Sequence, residues 1–122
     1  MACRGIRGAT TVAVDSADAI LTATRELLLG MVEANQAAVA DIASVVFTVT
    51  PDLAAAFPAR AARDLGWQHI PLLDAQEVPV PGSLPRCVRV LMLWNTDRSQ
   101  AEVRHVYLRE AVSLRPDLQE NE

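Results

Sequence analysis

The sequence predicts an α/β (α+β) fold, with a mixed β-sheet of about five strands, one long amphipathic helix and one short helix. Short apolar, β-branched segments recur along the chain, and a segment of helical periodicity follows the first of them. Of the 122 residues, 51% are hydrophobic and only 4% are aromatic, so aliphatic side chains must fill the core. A chain of this length suits one domain, spanning residues 1–122, with a polar tail from about residue 115 that we expect to be mobile.

The first predicted strand, residues 3–14, combines β-branched residues with Arg4, Gly5, Arg7 and Gly8. Glycine weakens a strand and often marks a close approach of the backbone to another group. Arginine is rarely buried without an anion. The strand is therefore predicted to line a binding site for a negatively charged group that lies close to the backbone.

The long helix is predicted to begin at a cap formed by Asp15 or Ser16 and to run to about Asn35. One face of this segment carries apolar residues at helical spacing, which predicts that it covers one side of the sheet. The positions of that face are Ile20, Leu21, Thr24, Leu27, Leu28, Met31 and Val32.

A continuous apolar run predicts a buried strand at 42–50, and a short helix at 59–65 lies between Pro58 and Gly66. Further strands are predicted at 69–73, 86–94 and 104–108, and a proline-rich loop precedes the second of these. Alternation in 86–94 places Cys87, Arg89, Leu91 and Leu93 on one face and Val88, Val90 and Met92 on the other.

Charge and composition exclude several function classes. The net charge of −4 argues against a general nucleic-acid binder. All 11 basic residues are arginine, so lysine imine chemistry is excluded. Each arginine has a planar guanidinium that can bind a carboxylate through two parallel hydrogen bonds. The cysteines, Cys3 and Cys87, are far apart and only two histidines accompany them, so no metal site or disulfide framework is predicted. With no membrane-spanning run or signal peptide, we expect a cytoplasmic protein.

The small size of the chain also predicts self-association. Many apolar strands in so short a chain leave an edge or a face of the sheet uncovered, and a homo-oligomer is the simplest way to bury it. Such an arrangement would place a binding site between subunits.

Among single residues, Arg89 has two interpretations of equal weight. It forms an internal salt bridge, or it is a preorganised cation in a cleft. Glu77 follows a strand end, where acids are usually solvated, and Tyr107 is by default a core tyrosine. His69 and His105 have no catalytic partner at a telling spacing and are interpreted as structural. An arginine-rich cleft without a nucleophile suits a reaction that needs only orientation and electrostatics.

Seven segments occur in an order typical of one enzyme family. They are Arg4-Gly5-Ile6-Arg7-Gly8-Ala9-Thr10-Thr11-Val12, Thr48-x-Thr50-Pro51-Asp52-Leu53, Phe57-Pro58-Ala59, Gln76-Glu77, Cys87-Val88-Arg89-Val90, Arg104-His105-Val106-Tyr107-Leu108 and Leu114-Arg115-Pro116-Asp117-Leu118. Together they resemble the monofunctional chorismate mutases of the AroH class, the trimeric α/β type. The resemblance implies the [3,3] rearrangement of chorismate to prephenate in phenylalanine and tyrosine biosynthesis. It also implies a pseudo-α/β-barrel homotrimer with active sites at subunit interfaces, and no cofactor, metal or covalent intermediate.

The resemblance assigns roles to individual residues. Arg89 matches the arginine that reaches the ether oxygen and a carboxylate, Arg7 matches a carboxylate-binding arginine beside Tyr107, and Glu77 matches the acid that bonds the ring hydroxyl. Phe57 and Arg63 match residues from the neighbouring subunit, and Leu114 and Arg115 match a tail that closes over the site. The implied substrate-binding set is Arg7, Phe57, Ala59, Arg60, Arg63, Leu72, Leu73, Asp74, Glu77, Arg89, Tyr107, Leu114 and Arg115, of which Arg89, Glu77 and Arg7 are implied to be catalytic.

The chain departs from the family pattern at three of these positions. A cysteine of the pattern is Asp74 here, the threonine before it is Leu73, and a lysine is Arg60. Asp74 still accepts a hydrogen bond but adds negative charge near a dianionic substrate.

Other functions remain open at this point. Pro85-Arg86-Cys87-Val88 faintly resembles the arginine region of the trimeric imine deaminases of the RidA type. A binding module that holds an aromatic-pathway acid is the non-enzymatic alternative, and a purely structural oligomer is a weaker one.

Overall fold

The fold was derived from a computed structural model, which describes residues 1–114. Its elements are the strands β1 (Ala2–Thr11), β2 (Ile42–Val49), β3 (Leu72–Gln76), β4 (Cys87–Thr96) and β5 (Val106–Tyr107), the helices α1 (Ala17–Asn35) and α2 (Ala59–Asp64), and 3₁₀ turns at Val39–Asp41, Gln100–Glu102 and Arg109–Leu114. The strands form one mixed sheet in the order β3-β2-β4-β1-β5. The predicted α+β class, with five strands, one long and one short helix, is confirmed.

Strand β4 lies at the centre of the sheet and determines where Arg89 stands. It pairs antiparallel with β1 on one side and with β2 on the other, and in this register Arg89 lies opposite Ala9 and opposite Thr48. The outer strands β3 and β5 each run parallel to their neighbours, β2 and β1. Arg89 therefore has a strand on both sides, and its backbone position is fixed by both pairings.

Helix α1 covers one face of the sheet, as its periodicity predicts. Ser16 is its N-cap, with its Oγ accepting a hydrogen bond from the Ala19 N–H at 3.1 Å. Gln36, at φ 52°, ends it in the left-handed region. The core between helix and sheet is mostly aliphatic, and its fully buried side chains include Ile6, Ile20, Leu27, Leu28, Met31, Phe47 and Met92.

The close approach predicted for the first strand exists at Gly8, but its partner is α1. A Cβ at Gly8 would lie 2.5 Å from Met31 Sδ and 3.1 Å from Leu27 Cδ1, on the helix side of the sheet. The space that the absent Cβ of Gly8 leaves is therefore filled by the helix, on the face of β1 opposite Arg7. Gly8 is needed because the buried side chains of α1 rest directly on the backbone of β1.

The opposite face of the sheet carries Arg7, Arg89 and Leu91 and is only partly covered within residues 1–114. The 3₁₀ turn Arg109–Leu114 packs on β1 at one end of this face. Elsewhere it is open, and Leu91 and Leu73 are 42% and 61% exposed. We call this surface the open face.

Several predicted boundaries shift. The first strand ends at Thr11, the strand predicted at 42–50 ends at Val49, and the short helix ends at Asp64. The strand predicted at 69–73 is wrong by three residues, because its parallel pairing with β2 begins only after Pro71. The strand predicted at 86–94 runs from Cys87 to Thr96. It starts later because Arg86 lies in the left-handed region, at φ 46°. The strand predicted at 104–108 shrinks to Val106–Tyr107.

Candidate active site

A cavity of about 360 Å³ opens on the open face, at the centre of the sheet. Its two charged lining residues are Arg7 and Arg89, and Tyr107 closes one side. The strands bring these three together because β1 pairs with β4 on one edge and with β5 on the other. The lining residues are Arg7, Gly8, Ala9, Val46, Thr48, Arg89, Val90, Leu91 and Tyr107.

Arg89 is held by Glu77, the acid that directly follows β3. The Arg89 Nε lies 3.1 Å from Glu77 Oε1, and the other carboxylate oxygen, Oε2, accepts a hydrogen bond from Thr48 Oγ1 at 3.2 Å. The Glu77 N–H also donates to the Val49 carbonyl at 2.9 Å, which fixes the backbone of the acid. The two interpretations of Arg89 are thus both correct, since it forms an internal ion pair and also faces a cavity.

Cys87 precedes Arg89 by two residues and lies on the same side of β4. Its side chain is 1% exposed, and burial raises the pKa of its thiol to about 11, with the negative charge of Glu77 adding to the effect. A hydrogen bond with Arg89 opposes this shift without cancelling it. The thiol therefore stays neutral at physiological pH and adds no negative charge beside the guanidinium.

The start of β4 is tied to the end of β2 by a small polar cluster. Thr50 Oγ1 accepts the Cys87 N–H at 3.0 Å and donates to Asp52, whose Oδ2 accepts the Arg86 N–H at 2.9 Å. Burial raises the pKa of Asp52, but the hydrogen bonds from Thr50 and Arg86 outweigh it and leave this pKa below its usual range. Arg86 Nε donates to the Val12 carbonyl at 3.0 Å. Arg86 thus makes a structural contact and is not among the residues that line the cavity.

The two arginines of β1 are not equivalent. Arg7 lines the cavity, and its N–H donates to His105 Nδ1 at 2.9 Å, which links β1 to the segment before β5. Arg4 instead donates its Nε to the Arg98 carbonyl at 3.0 Å. The structural role expected for His105 is consistent with this bond, and Arg4 is likewise engaged outside the cavity.

A second cavity, of about 460 Å³, lies beside the N-terminus of α2. Phe57, Arg60 and Asp74 of the predicted substrate-binding set line it. Phe57, 71% exposed, stands at its rim with Arg60. Asp74 Oδ1 accepts the Ala59 N–H at 3.0 Å, which anchors α2 to β3. Burial raises the pKa of Asp74, while the Ala59 N–H and the charge of Arg63 oppose the shift.

The two cavities lie on different sides of the sheet. Asp74 pairs with the buried Phe47 and faces the helices, whereas Thr48, the next residue of β2, faces the open side with Arg89. Within one chain, the residues around Asp74 therefore do not meet those around Arg89.

The remaining predicted residues are distributed over both sides. Leu72 packs against the helix-side core and lines a third cavity, of about 270 Å³, with Arg63. Leu73 is exposed on the open face. Leu114 packs in a small cluster with Ala9 and Cys87. Arg115 lies outside the described residues.

One polar residue of the site was not predicted. Thr48 touches Glu77 and lines the cavity, and a hydroxyl within the apolar run of β2 is the signal that could have identified it. Over residues 1–114, no group of three or more His, Cys, Asp or Glu side chains is arranged to hold a metal ion. No helix in the same part of the chain is long and apolar enough to cross a membrane.

Comparison with known proteins places this fold and site in one family. The family model of chorismate mutase type I matches residues 3–118. The chorismate mutase AroH of Thermus thermophilus is 65% identical over 117 residues, which cover 95% of this chain and 96% of that protein. The corresponding Bacillus subtilis enzyme is 48% identical over 119 residues, covering 97% of this chain and 94% of that protein.

A solved structure agrees with the sequence relatives. The chorismate mutase from Clostridium thermocellum superposes with a TM-score of 0.88 at 50% identity, covering 89% of this chain and 97% of that chain. The family model, these relatives and the matching fold lead to the same conclusion: this chain belongs to the type I chorismate mutases, and its activity is that of a chorismate mutase, an isomerase.

Proposed function

We propose that the protein converts chorismate to prephenate in the cavity of the open face, with Arg89, Glu77 and Arg7 as the catalytic residues. The observation that carries the assignment is the ion pair of Arg89 with Glu77, 3.1 Å long, at the edge of a cavity that also holds Arg7. Chorismate carries two carboxylates, and arginine binds a carboxylate through two parallel hydrogen bonds. Arg7, with Tyr107 beside it, is suited to hold one of them.

The mechanism needs no nucleophile and no proton transfer. In the rearrangement a C–O bond breaks while a C–C bond forms, and negative charge builds up on the ether oxygen in the transition state. A guanidinium fixed beside that oxygen binds the transition state more strongly than the ground state, and this difference lowers the barrier. Arg89 approaches Glu77 with Nε, and its Nη end is expected to face the ether oxygen and a carboxylate.

Orientation is the second contribution. The enolpyruvyl group of chorismate is flexible, and the reaction proceeds only when it lies over the ring. Side chains that hold both carboxylates select that conformation and remove the entropic cost of reaching it during the reaction. Glu77 is proposed to accept a hydrogen bond from the ring hydroxyl while it holds Arg89, because each carboxylate oxygen has a second lone pair.

The full site is proposed to form between subunits of a homotrimer. Support comes from the division of the site residues between two sides of the sheet and from the exposure of Phe57, Leu73 and Leu91, which are 71%, 61% and 42% exposed. In the assembly, Phe57 and Arg63 of one subunit complete the cavity of its neighbour, and Ala59, Arg60, Leu72, Leu73 and Asp74 belong to the same proposed substrate-binding set. Leu114 and Arg115 complete the proposed substrate-binding set. Light scattering is expected to give three times the chain mass of 13.2 kDa.

The activity is tested by mixing purified protein with chorismate and following the loss of chorismate together with the formation of prephenate. Acceleration over the reaction in buffer is the expected result. A rate equal to that in buffer contradicts the assignment, and tight binding without turnover would instead identify a binding protein. We also propose a cytoplasmic location, which is supported by Cys3 and Cys87 both being free thiols.

A further inference from the structure

We propose that Thr48 is a positioning residue, which orients Arg89 for catalysis by holding the carboxylate of Glu77. This inference rests on the proposed function, because it assumes that Arg89 and Glu77 act in the rearrangement. Thr48 itself does not have to touch the substrate. Its role is to determine where the guanidinium of Arg89 points.

The geometry that carries the inference is a chain of three side chains across three elements. Thr48 lies directly opposite Arg89 in the antiparallel pairing of β2 with β4, so both side chains stand on the same face of the sheet. Thr48 Oγ1 donates to Glu77 Oε2 at 3.2 Å, and Glu77 Oε1 lies 3.1 Å from Arg89 Nε. Each carboxylate oxygen is therefore committed to a different partner.

This division of the two oxygens has a consequence for Arg89. A carboxylate held at one oxygen can rotate about its last side-chain bond, and it can also turn to contact the Nη atoms of an arginine. With Oε2 bound to Thr48, the remaining oxygen lies 3.1 Å from Arg89 Nε, and Arg89 itself lines the cavity. Because the Arg89 side chain is 47% exposed, packing alone does not fix its orientation.

Burial and backbone contacts support the same role. The Glu77 side chain is 17% exposed, and its N–H donates to Val49, so its backbone is fixed while its carboxylate still needs a partner on the sheet. Thr48 lines the cavity together with Arg89 and is its immediate neighbour there. Loss of the hydroxyl leaves the ion pair in place but permits more than one geometry of the pair.

The test compares Thr48→Val, which has the same shape without the hydroxyl, with Thr48→Ser, which keeps the hydroxyl. We expect Thr48→Val to lower kcat about tenfold with KM changed by less than about threefold, because a misoriented cation weakens transition-state binding more than substrate binding. Thr48→Ser is expected to recover kcat to within about twofold of the wild type. Thr24→Val, which removes a hydroxyl bonded to Ile20 O in α1, is the matched control and is expected to leave kcat unchanged.

A double-mutant cycle with Glu77→Ala shows whether Thr48 acts through Glu77. In the Glu77→Ala background, Thr48→Val is expected to cause no further loss of kcat. An equal loss in both backgrounds overturns the proposal, as does a Thr48→Val enzyme with the wild-type kcat or a Thr48→Ser enzyme as slow as Thr48→Val. If Thr48→Val does not fold, Thr48→Ala replaces it in the same cycle. An inactive wild type refutes the proposed function instead, so the two failures are distinguishable.

Discussion

Replacing Arg89 by alanine is the most direct test of the proposed mechanism. The change removes the one guanidinium that β4 presents to the cavity, while the strand pairings of Arg89 with Ala9 and Thr48 are made by the backbone and survive. Removing one preorganised donor from a developing oxyanion costs about 3–4 kcal/mol of transition-state stabilisation. We therefore expect kcat to fall by a factor on the order of 10² to 10³.

The same substitution has a smaller effect on folding. Glu77 loses its ion pair but keeps the hydrogen bond from Thr48 and is 17% exposed, so its carboxylate retains one protein partner and some contact with water. The expected loss in the free energy of unfolding is about 1–2 kcal/mol. Because this loss is smaller than the free energy of unfolding of a typical domain, about 5–15 kcal/mol, a folded but nearly inactive enzyme is the expected product.

The assay follows chorismate consumption at saturating substrate, together with urea unfolding of the same preparation. Arg25→Ala, at an exposed position of α1, is the matched control and is expected to retain the wild-type kcat. Arg89→Lys keeps the charge but loses the planar group, which can pair with Glu77 and face the substrate at the same time. Its kcat is therefore expected to stay at least about tenfold below that of the wild type. An Arg89→Ala enzyme with more than about a tenth of the wild-type kcat would refute the assignment of Arg89 as the key cation.

Three further predictions concern packing, pH and charge. Gly8→Ala is expected to lower the free energy of unfolding by about 1–3 kcal/mol in urea titrations, because its Cβ would lie 2.5 Å from the buried Met31 Sδ. The pKa of the Cys87 thiol is raised from 9.0 to about 11 in the folded state, so the unfolded state loses this proton at a lower pH. The free energy of unfolding is therefore expected to fall by up to about 2–3 kcal/mol as the pH rises from 9 to 11. Asp74→Asn removes a negative charge while keeping an acceptor for the Ala59 N–H, and is expected to lower KM for the dianionic substrate about two- to fivefold.

Each of these predictions has its own control. Gly5→Ala places a Cβ 3.5 Å from Leu91 Cδ1, which is an ordinary contact, so equal destabilisation by both alanines would contradict the packing argument. For the alkaline effect, Cys87→Val is expected to remove the share of the pH dependence that comes from the thiol, and an unchanged slope would contradict it. For Asp74→Asn, the KM values of the variant and the wild type are compared at low and at high salt. Equal KM values of the two enzymes at both salt concentrations would show that the charge does not reach the substrate.

The sequence predicts those parts of the site that depend on local periodicity. Alternation along β4 separated Arg89 from the face that carries Val88, Val90 and Met92, and the structure agrees. What local periodicity could not supply was the identity of neighbours that are distant in sequence. The close approach predicted for the first strand was not matched to its partner at Gly8, because Met31 is reached only through the packing of α1 on the sheet. The role of Thr48 was missed for the same reason, since it becomes visible only when β2 is aligned with β4.

The boundaries of β3 were mispredicted for a related reason. Its five residues pair parallel with β2 at the outer edge of the sheet, and 22 residues lie between the two strands. Their conformation is therefore determined by hydrogen bonds to a strand distant in sequence and not by their own alternation. The error matters for the site, because β3 determines the side on which Asp74 stands and where Glu77 follows. Residues of an edge strand therefore carry the part of the site that a single sequence predicts least well.

The ion pair between Arg89 and Glu77 explains how a half-exposed arginine can serve as a catalytic cation. A partner carboxylate weakens the field of a guanidinium, which by itself reduces its attraction for an anionic substrate. A free arginine at this position, however, would lose about 2 kcal/mol of rotamer entropy on reaching a single orientation. Glu77 restricts that freedom during folding, before substrate binds, through a contact 3.1 Å long to Nε. In a rearrangement without proton transfer or a covalent enzyme intermediate, orientation of charge is the main contribution that side chains can make. The fixed orientation of Arg89 therefore outweighs its weaker field and favours catalysis.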